Sequence, residues 1–500
     1  MAVLRPEPRD DDEPAEAAGL VALPPPDPSD TTADLFPGAP GDRPGLHVRL
    51  FGSHEFFHLW LVQVVSSVGD WLGFAAIILL ASEVGSNGGA GAISLVMAAR
   101  IVPGFFFGPL AGVLVDRWDR KRTMVACDLG RAAVVATLPF VDDLSGLVVA
   151  SLALEMLTLL WAPAKDASVP HLVPQGHLTT ANSLSLAAAY GTFPFASLLF
   201  ALLAGVSVWL SGIEALGVLR LDQMSLAFYV DVATFVFAAL MVRTLPLPAR
   251  PRSARRAGDS RVDWARTIHE LQEGWRYIFI NHTVRAVNLG LATGLIGGGM
   301  LIPLGAVFST EVLGAGAAGY GLFTTALGFG VATGVVLVSA VQRRIDKARA
   351  FAGALFVAGG ALIAGASTSR LGPAAAFVFL MGMSVGPVYV LGFVLLQEEV
   401  DDELRGRVFS SLNTLVRLCV LVSMVAGPLL AAFLGGLAGS LTGGAVEVAG
   451  VTIGVPGVRL ALWLGGLIIV VAGVVATHSV RSGERSRAAV TSPHPSRHRP

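Results

Sequence analysis

Residues 108–122 read GPLAGVLVDRWDRKR. The stretch ends one apolar run, 92–115, and a second run, 123–141, starts directly behind it. Between them stand Asp116, Arg117, Asp119, Arg120, Lys121 and Arg122. Two apolar runs of roughly 20 residues, each long enough to cross a hydrocarbon core as a helix, joined by a short charged turn, make a membrane hairpin. Gly108 and Gly112 stand four apart and leave one helix face bare. Small residues at that spacing let helix backbones approach closely in lipid.

The pattern extends outward in both directions. Apolar runs at 56–80, 146–168, 183–210, 222–244, 285–309, 318–341, 350–367, 373–397, 407–435 and 456–477 accompany the two already named, giving twelve. Of the 500 residues, 53% are apolar and 14% charged, and the mean hydropathy is +0.67. A soluble domain carries about a quarter charged residues and cannot cover this much apolar surface with a polar shell. Outer-membrane strands are ~10 residues long with alternating polarity, whereas these runs are long and apolar on every face. The expected fold class is therefore all-α and integral to the membrane.

A polar segment, 245–284, divides six runs from six, which predicts two six-helix bundles. The predicted organisation is a disordered tail at 1–52, a first bundle at 53–245, a linker at 246–284, a second bundle at 285–479 and a disordered tail at 480–500. Ten of the 28 prolines lie in residues 1–50, with an acidic run from Asp10 to Glu13. Such a composition buries too little to fold. Within the linker, 262–280 (VDWARTIHELQEGWRYIFI) has apolar or aromatic residues at helical spacing, which predicts an amphipathic helix at the membrane surface. Basic residues collect in alternate loops: Arg117, Arg120, Lys121 and Arg122; Arg343, Arg344, Lys347 and Arg349; and six arginines between 250 and 266. The opposite loops hold few, Arg220, Arg370 and Arg459. The positive-inside rule then predicts a multi-pass protein of the cell (inner) membrane with both termini in the cytoplasm. Cys127 and Cys419 lie within the runs and read as small packing residues rather than a disulfide or metal pair.

The 108–122 stretch resembles the loop signature between the second and third helices of the major facilitator superfamily. Gly108, Gly112, Asp116, Arg117, Arg120 and Lys121 match its pattern of glycine, three residues, Asp-Arg and a basic cluster. HLVPQGHLTTANSL (171–184), DELRGRVFSSLNTL (402–415) and VLGAGAAGYGLFTTALGFG (312–330) resemble the drug, macrolide and siderophore exporters within it. The resemblance spans roughly 55–480. It implies two bundles that rock about a central cavity, and a conformational latch, not a substrate site, at the signature. Drug–proton antiporters of the superfamily often carry a GPxxGG motif in the fifth helix. Here that helix reads YGTFPFASLLFALLAG, with Gly191 and Pro194 only, so the direction of transport stays open. The halves also echo each other: Gly330 and Gly334 precede Arg343 and Arg344 as Gly108 and Gly112 precede the first basic cluster.

Ionisable groups inside a membrane are costly and mark pathways. At ~1.5 Å per residue, Asp70, Arg100, Glu155 and Asp231 all fall about 12–15 Å from the outer face. They are the candidate proton-coupling or substrate residues of the first half. Asp70 and Arg100 are read equally as a static pair between neighbouring helices. No basic residue besides Arg100 is placed at this depth. Asp128, Arg131, Lys165 and Asp166 are assigned nearer the cytoplasm, to a gate network with Asp116; for Lys165 and Asp166 a solvated surface is the alternative. In the second half Arg417 stands apart and would attract an anionic group or pair with a carboxylate of the first half. Trp71, Trp161, Tyr190, Tyr229 and Tyr389 are candidates to line an apolar cavity.

The sequence carries no phosphate-binding GxxxxGK[ST] loop, no metal-ligand spacing and no nucleophile elbow. The reading is a transporter, not an enzyme, with no cofactor and no metal. Its partners are a small-molecule substrate, protons and the lipid bilayer, without nucleic acid, and it is read as a monomer. The function expected is proton-coupled export of an amphipathic small molecule by alternating access. An importer or uniporter of the same fold and a non-transporting scaffold or sensor are the rival readings.

Overall fold

The computed structural model describes residues 50–85, 89–211, 222–247, 281–400, 402–442, 445–448, 451–454 and 456–491. The amphipathic stretch 262–280 and the tail before residue 50 lie outside the described residues.

Twelve helices in the described residues are long and apolar enough to cross a membrane. The first half holds α1 (His54–Val84), α2 (Ala90–Arg117), α3 (Arg120–Thr137), α4 (Leu144–Asp166), α5 (Leu178–Gly191, resuming as Phe193–Leu210) and α6 (Ser225–Thr244). The second holds α7 (His282–Gly299, resuming as Leu301–Val307), α8 (Gly316–Val341), α9 (Lys347–Ser367), α10 (Leu371–Glu399), α11 (Asp402–Thr442) and α12 (Gly457–Thr491). The starts are set by side-chain caps. Ser53, Asp119, Asp143 and Asp346 each accept the first free backbone N–H of α1, α3, α4 and α9, at 2.8–3.0 Å. α5 breaks at Thr192, where Pro194 lacks the N–H that would continue the ladder. α1 covers the break from outside: Trp60, Gln63 and Trp71 donate to the carbonyls of Leu184, Ser185 and Ala189 at 2.9–3.0 Å.

Two features depart from the sequence reading. α12 continues to Thr491, into the tail expected to be disordered from 480. Its extension, RSGERSRAAV, is rich in good helix formers, and the helix stops two residues before Pro493. A β-hairpin, Ala445–Val448 (β1) with Val451–Gly454 (β2), lies between α11 and α12, pairing Val448 with Val451. Val, Thr and Ile favour strands here, outside the apolar runs.

Within the first half α1 packs on α6, α2 on α4, and α3 on both α4 and α6; in the second, α8 packs on α10, and α9 and α7 on α12. The α8–α10 contact is backbone to backbone. A Cβ at Gly330 would strike the Phe379 carbonyl, and one at Gly382 the Leu327 carbonyl. The halves meet along α5–α8 and α2–α11. Hydrogen bonds join them: Ser94 Oγ donates to the Val425 carbonyl at 2.7 Å, and the Ala317 N–H to Gln223 Oε1 at 3.1 Å. Both sit at the end of the bundle that carries the α1–α2, α5–α6 and α7–α8 connections, opposite the basic loops. Gln223 thereby caps α8, whose own N-cap, Ala315, has no side-chain acceptor.

Gly382→Val forces a side chain into the α8–α10 contact. It is expected to cost about 1–3 kcal/mol and to lower the melting temperature of the purified protein in detergent. Gly353→Ala, at a position where a Cβ meets nothing within 4 Å, should leave it unchanged; equal melting of the two variants would refute the close contact.

Candidate functional site

At the centre of the first half lies a guanidinium. Arg131 of α3 is 1% exposed. It forms an ion pair with Asp128, one helical turn before it, and a second with Asp70 of α1 at 3.5 Å. Its guanidinium lies 4.4 Å from the Phe235 ring centre on α6 and 5.0 Å from that of Trp161 on α4. Trp161 Nε1 in turn donates to Asp128 at 3.2 Å. Four helices therefore meet on this one cation, through charge, ring faces and a hydrogen bond.

Asp231 of α6 is 2% exposed and stands beside this cluster. Thr234 Oγ1 donates to its carboxylate at 3.3 Å. Its two carboxylate oxygens lie against Gly69 and Gly73 of α1, where a Cβ would collide with them. The two glycines make the slot in which the carboxylate fits. Asp70, Arg100, Arg131 and Asp231 line one narrow crevice together with Thr158. Arg100 also sits 5.6 Å from the Phe74 ring centre. It faces the crevice on one side and Glu155 on the other, across a shared cavity.

Of the four candidates, the carboxylates Asp70, Glu155 and Asp231 are thus gathered around Arg100. The ion pair of Asp70 is with Arg131, not with Arg100 as the sequence suggested. Arg131 is the second basic group at this depth. The α3 helix begins at Arg120, so at ~1.5 Å per residue Asp128 and Arg131 stand about 12 and 17 Å along it, in the bilayer interior. The predicted gate network therefore separates. Asp128 and Arg131 belong to the interior cluster. Lys165 and Asp166 pair with each other at 2.7 Å at the end of α4, Lys165 buried and Asp166 exposed. The side chain of Asp116 lies outside the described residues.

The basic cluster of the 108–122 stretch clasps helix ends. Arg120 Nη1 donates to the Ala167 carbonyl just beyond α4, and Lys121 Nζ to the Leu245 carbonyl just beyond α6, both at 2.8 Å. Cations there satisfy free carbonyls and complement the helix dipole. Gly108 and Gly112 do not pack: a Cβ at either meets nothing within 4 Å, unlike their echoes Gly330 and Gly334. The face of α2 at these glycines therefore looks into open space, and Gly108 lines a cavity.

Between the halves lie two connected cavities. One, of about 480 Å³, is almost wholly apolar, with Trp71, Phe193, Met381 and Ile469 in its wall. The other, of about 1000 Å³, lies towards the basic-loop end and includes Gly108, Arg100, Glu155 and Arg417. Tyr190 and Tyr389 line both. Trp71, Tyr190 and Tyr389 therefore hold the places expected of them. Trp161 serves the Arg131 cluster instead.

Residues 59–424 match the Major Facilitator Superfamily. The chain belongs to the major facilitator superfamily. Its relatives are transporters of the same kind. The MFS-type transporter YfiS of Bacillus subtilis (strain 168) is 25% identical over 391 residues, covering 75% of this chain and 86% of that protein. Macrolide efflux protein A of Streptococcus pyogenes is 25% identical over 393 residues, covering 75% and 89%. Among solved structures, a bacterial homologue of the human lysosomal transporter Spinster, inward-facing and unoccupied, superposes with a TM-score of 0.65 at 15% identity, over 86% of this chain and 98% of that one. That likeness concerns the fold. The chain is a multi-pass membrane transporter with a small-molecule substrate, not an enzyme.

Removing the central cation should unfold the first half. Arg131→Ala strands Asp128 in an apolar interior, and breaking a buried pair costs about 3–5 kcal/mol. The expected outcome is loss of folded protein from the membrane fraction. The double variant Arg131→Met/Asp128→Asn, which leaves no unpaired charge at the pair, should recover part of the melting temperature. No recovery would show that the ion pair is not the source of the loss.

Proposed function

We propose that this member of the superfamily exports an amphipathic small molecule in exchange for protons, by alternating access. The observation that carries the reading is a charge imbalance next to an apolar cavity. Within the first half, Asp70, Asp128, Glu155 and Asp231 are four carboxylates and Arg100 and Arg131 are the two guanidiniums among them; Arg417 of the second half faces Glu155 across the larger cavity without an ion pair among the described residues. Two negative charges in this low-dielectric site have no fixed partner, and a proton is the smallest cation that can neutralise one. Asp231, held in its glycine slot beside the Arg131 cluster but in neither of its ion pairs, and Glu155, facing the substrate cavity, are the carboxylates assigned to proton binding. Loading Asp231 changes how tightly α6 is held to α1. Loading Glu155 changes the charge of the cavity itself.

The apolar cavity supports an amphipathic substrate, and the efflux activity named for the Streptococcus pyogenes relative supports export. In this reading the basic-loop end is cytoplasmic, as are both termini, and the bundles at 53–245 and 285–479 rock as units about the 246–284 linker. The protein works as a monomer. The signature Gly108, Gly112, Asp116, Arg117, Arg120 and Lys121 is the latch. Arg120 and Lys121 hold the turn to α4 and α6, and the bare glycine face of α2 receives the second half when the basic-loop end closes.

Energised cells should expel a fluorescent amphipathic dye, and a protonophore should stop them. Asp231→Asn or Glu155→Gln, at normal membrane abundance, should reduce efflux at least tenfold. Efflux that survives the protonophore would remove the coupling claim, and net uptake in the same cells would reverse the direction.

Gly108→Leu has room in the present conformation, so its melting temperature should match the wild type. It should nonetheless block the closed state and cut efflux severalfold. Full efflux with Leu at 108 would rule out the latch.

A further inference from the structure

We infer that the substrate is an amphipathic organic anion whose headgroup is held by Arg417. The inference rests on the transporter reading of the cavity and names the chemistry of what it takes. The wall of the larger cavity is rich in donors. Arg100 and Arg417 present guanidinium N–H groups, and Tyr190 and Tyr389 present hydroxyls; Glu155 is the carboxylate among the described residues of the same wall.

The two cations are not equivalent. Arg100 faces the carboxylates of the first half, with Asp70 and Glu155 both in electrostatic reach, and rests against Phe74. Arg417 projects from α11 into the opposite side of the cavity, exposed, and forms no ion pair within 4.0 Å among the described residues. A guanidinium inside an apolar span is expensive unless something answers its charge. Its planar fork is matched by the paired oxygens of a carboxylate, sulfonate or phosphate.

The adjoining apolar chamber, about 480 Å³, accepts a drug-sized body. Tyr190 and Tyr389 lie at the junction, where the head of a bound amphipath would pass into its body. Charge on one side and aromatic and aliphatic wall on the other make a site for one negative head and one apolar body. Because Arg417 comes from α11 and Glu155 from α4, the head would lie between the halves, where their relative movement alters its surroundings.

The test uses two probes with one body: 1-anilinonaphthalene-8-sulfonate and its uncharged parent, N-phenyl-1-naphthylamine. Both are titrated by fluorescence into the full chain in phosphatidylcholine nanodiscs, with empty discs subtracted. The sulfonate should bind the wild type at least tenfold tighter than the neutral probe. Arg417→Gln should weaken the sulfonate at least tenfold and leave the neutral probe within twofold. Arg417→Lys should fall between. Glu155→Gln, which removes the competing negative charge, should tighten the sulfonate severalfold. The inference is overturned by equal binding of the two probes, by sulfonate binding that ignores Arg417→Gln, or by weaker sulfonate binding in Glu155→Gln. Efflux of neutral or cationic dyes from cells without anion preference in nanodiscs removes the anion site and keeps the export reading. Anion-selective binding without any flux does the opposite.

Discussion

A single cation, Arg131, ties the first bundle together. Lipid supplies no hydrophobic drive between helices, so their association depends on close packing and on polar contacts that water would otherwise weaken. Arg131 supplies such contacts to four helices at once, through Asp70, Asp128, Trp161 and Phe235. The arrangement fixes the rotation of α1, α3, α4 and α6 about their axes. It also decides where the remaining carboxylates stand. Once Asp70 and Asp128 are engaged with Arg131, Asp231 and Glu155 are left without an ion pair among the described residues, and Arg100 lies on the cavity side.

The second bundle is held differently. Its α8–α10 contact runs through glycines, with backbone against carbonyl and no charge involved. Asp346 caps α9 as Asp119 caps α3, and Lys347 pairs with Glu398 at the end of α10 much as Lys121 reaches the end of α6. The two halves thus share their helix-end chemistry and differ in their interiors. The first interior is built on carboxylates and guanidiniums, whereas the α8–α10 contact of the second is built on glycines. Arg417 enters the larger of the cavities between them.

The sequence made the membrane spans legible because hydrophobic length is a local property: twelve runs were visible and twelve helices stand at those places. The 108–122 stretch was legible for the same reason, as its spacing lies within one turn of chain. Depth along a helix was nearly legible, and Asp70, Arg100 and Asp231 do share a crevice. Arg131 lies about 12 Å inside the run at 123–141, the depth of Arg100 in its own helix, so its interior place follows from the same helix rise. The strands at Ala445–Val448 and Val451–Gly454 leave no trace in apolar length, because short strands outside the membrane carry little of it. Gly108 and Gly112 were read as packing glycines; a bare helix face shows that a neighbour can approach, not that one has done so.

What the sequence determined by itself is therefore the number of crossings, the family and the set of groups that can carry charge inside the membrane. Each is written in consecutive residues or in helical periodicity. Only the tertiary structure decided which carboxylate Arg131 takes, that Asp231 lies in a slot made by two glycines of another helix, and that Arg417 and Glu155 face one cavity from opposite halves. Those facts depend on the rotation and crossing of helices far apart in the chain. A helix of twenty apolar residues is apolar on all sides, so its sequence does not say which side it turns to its neighbours.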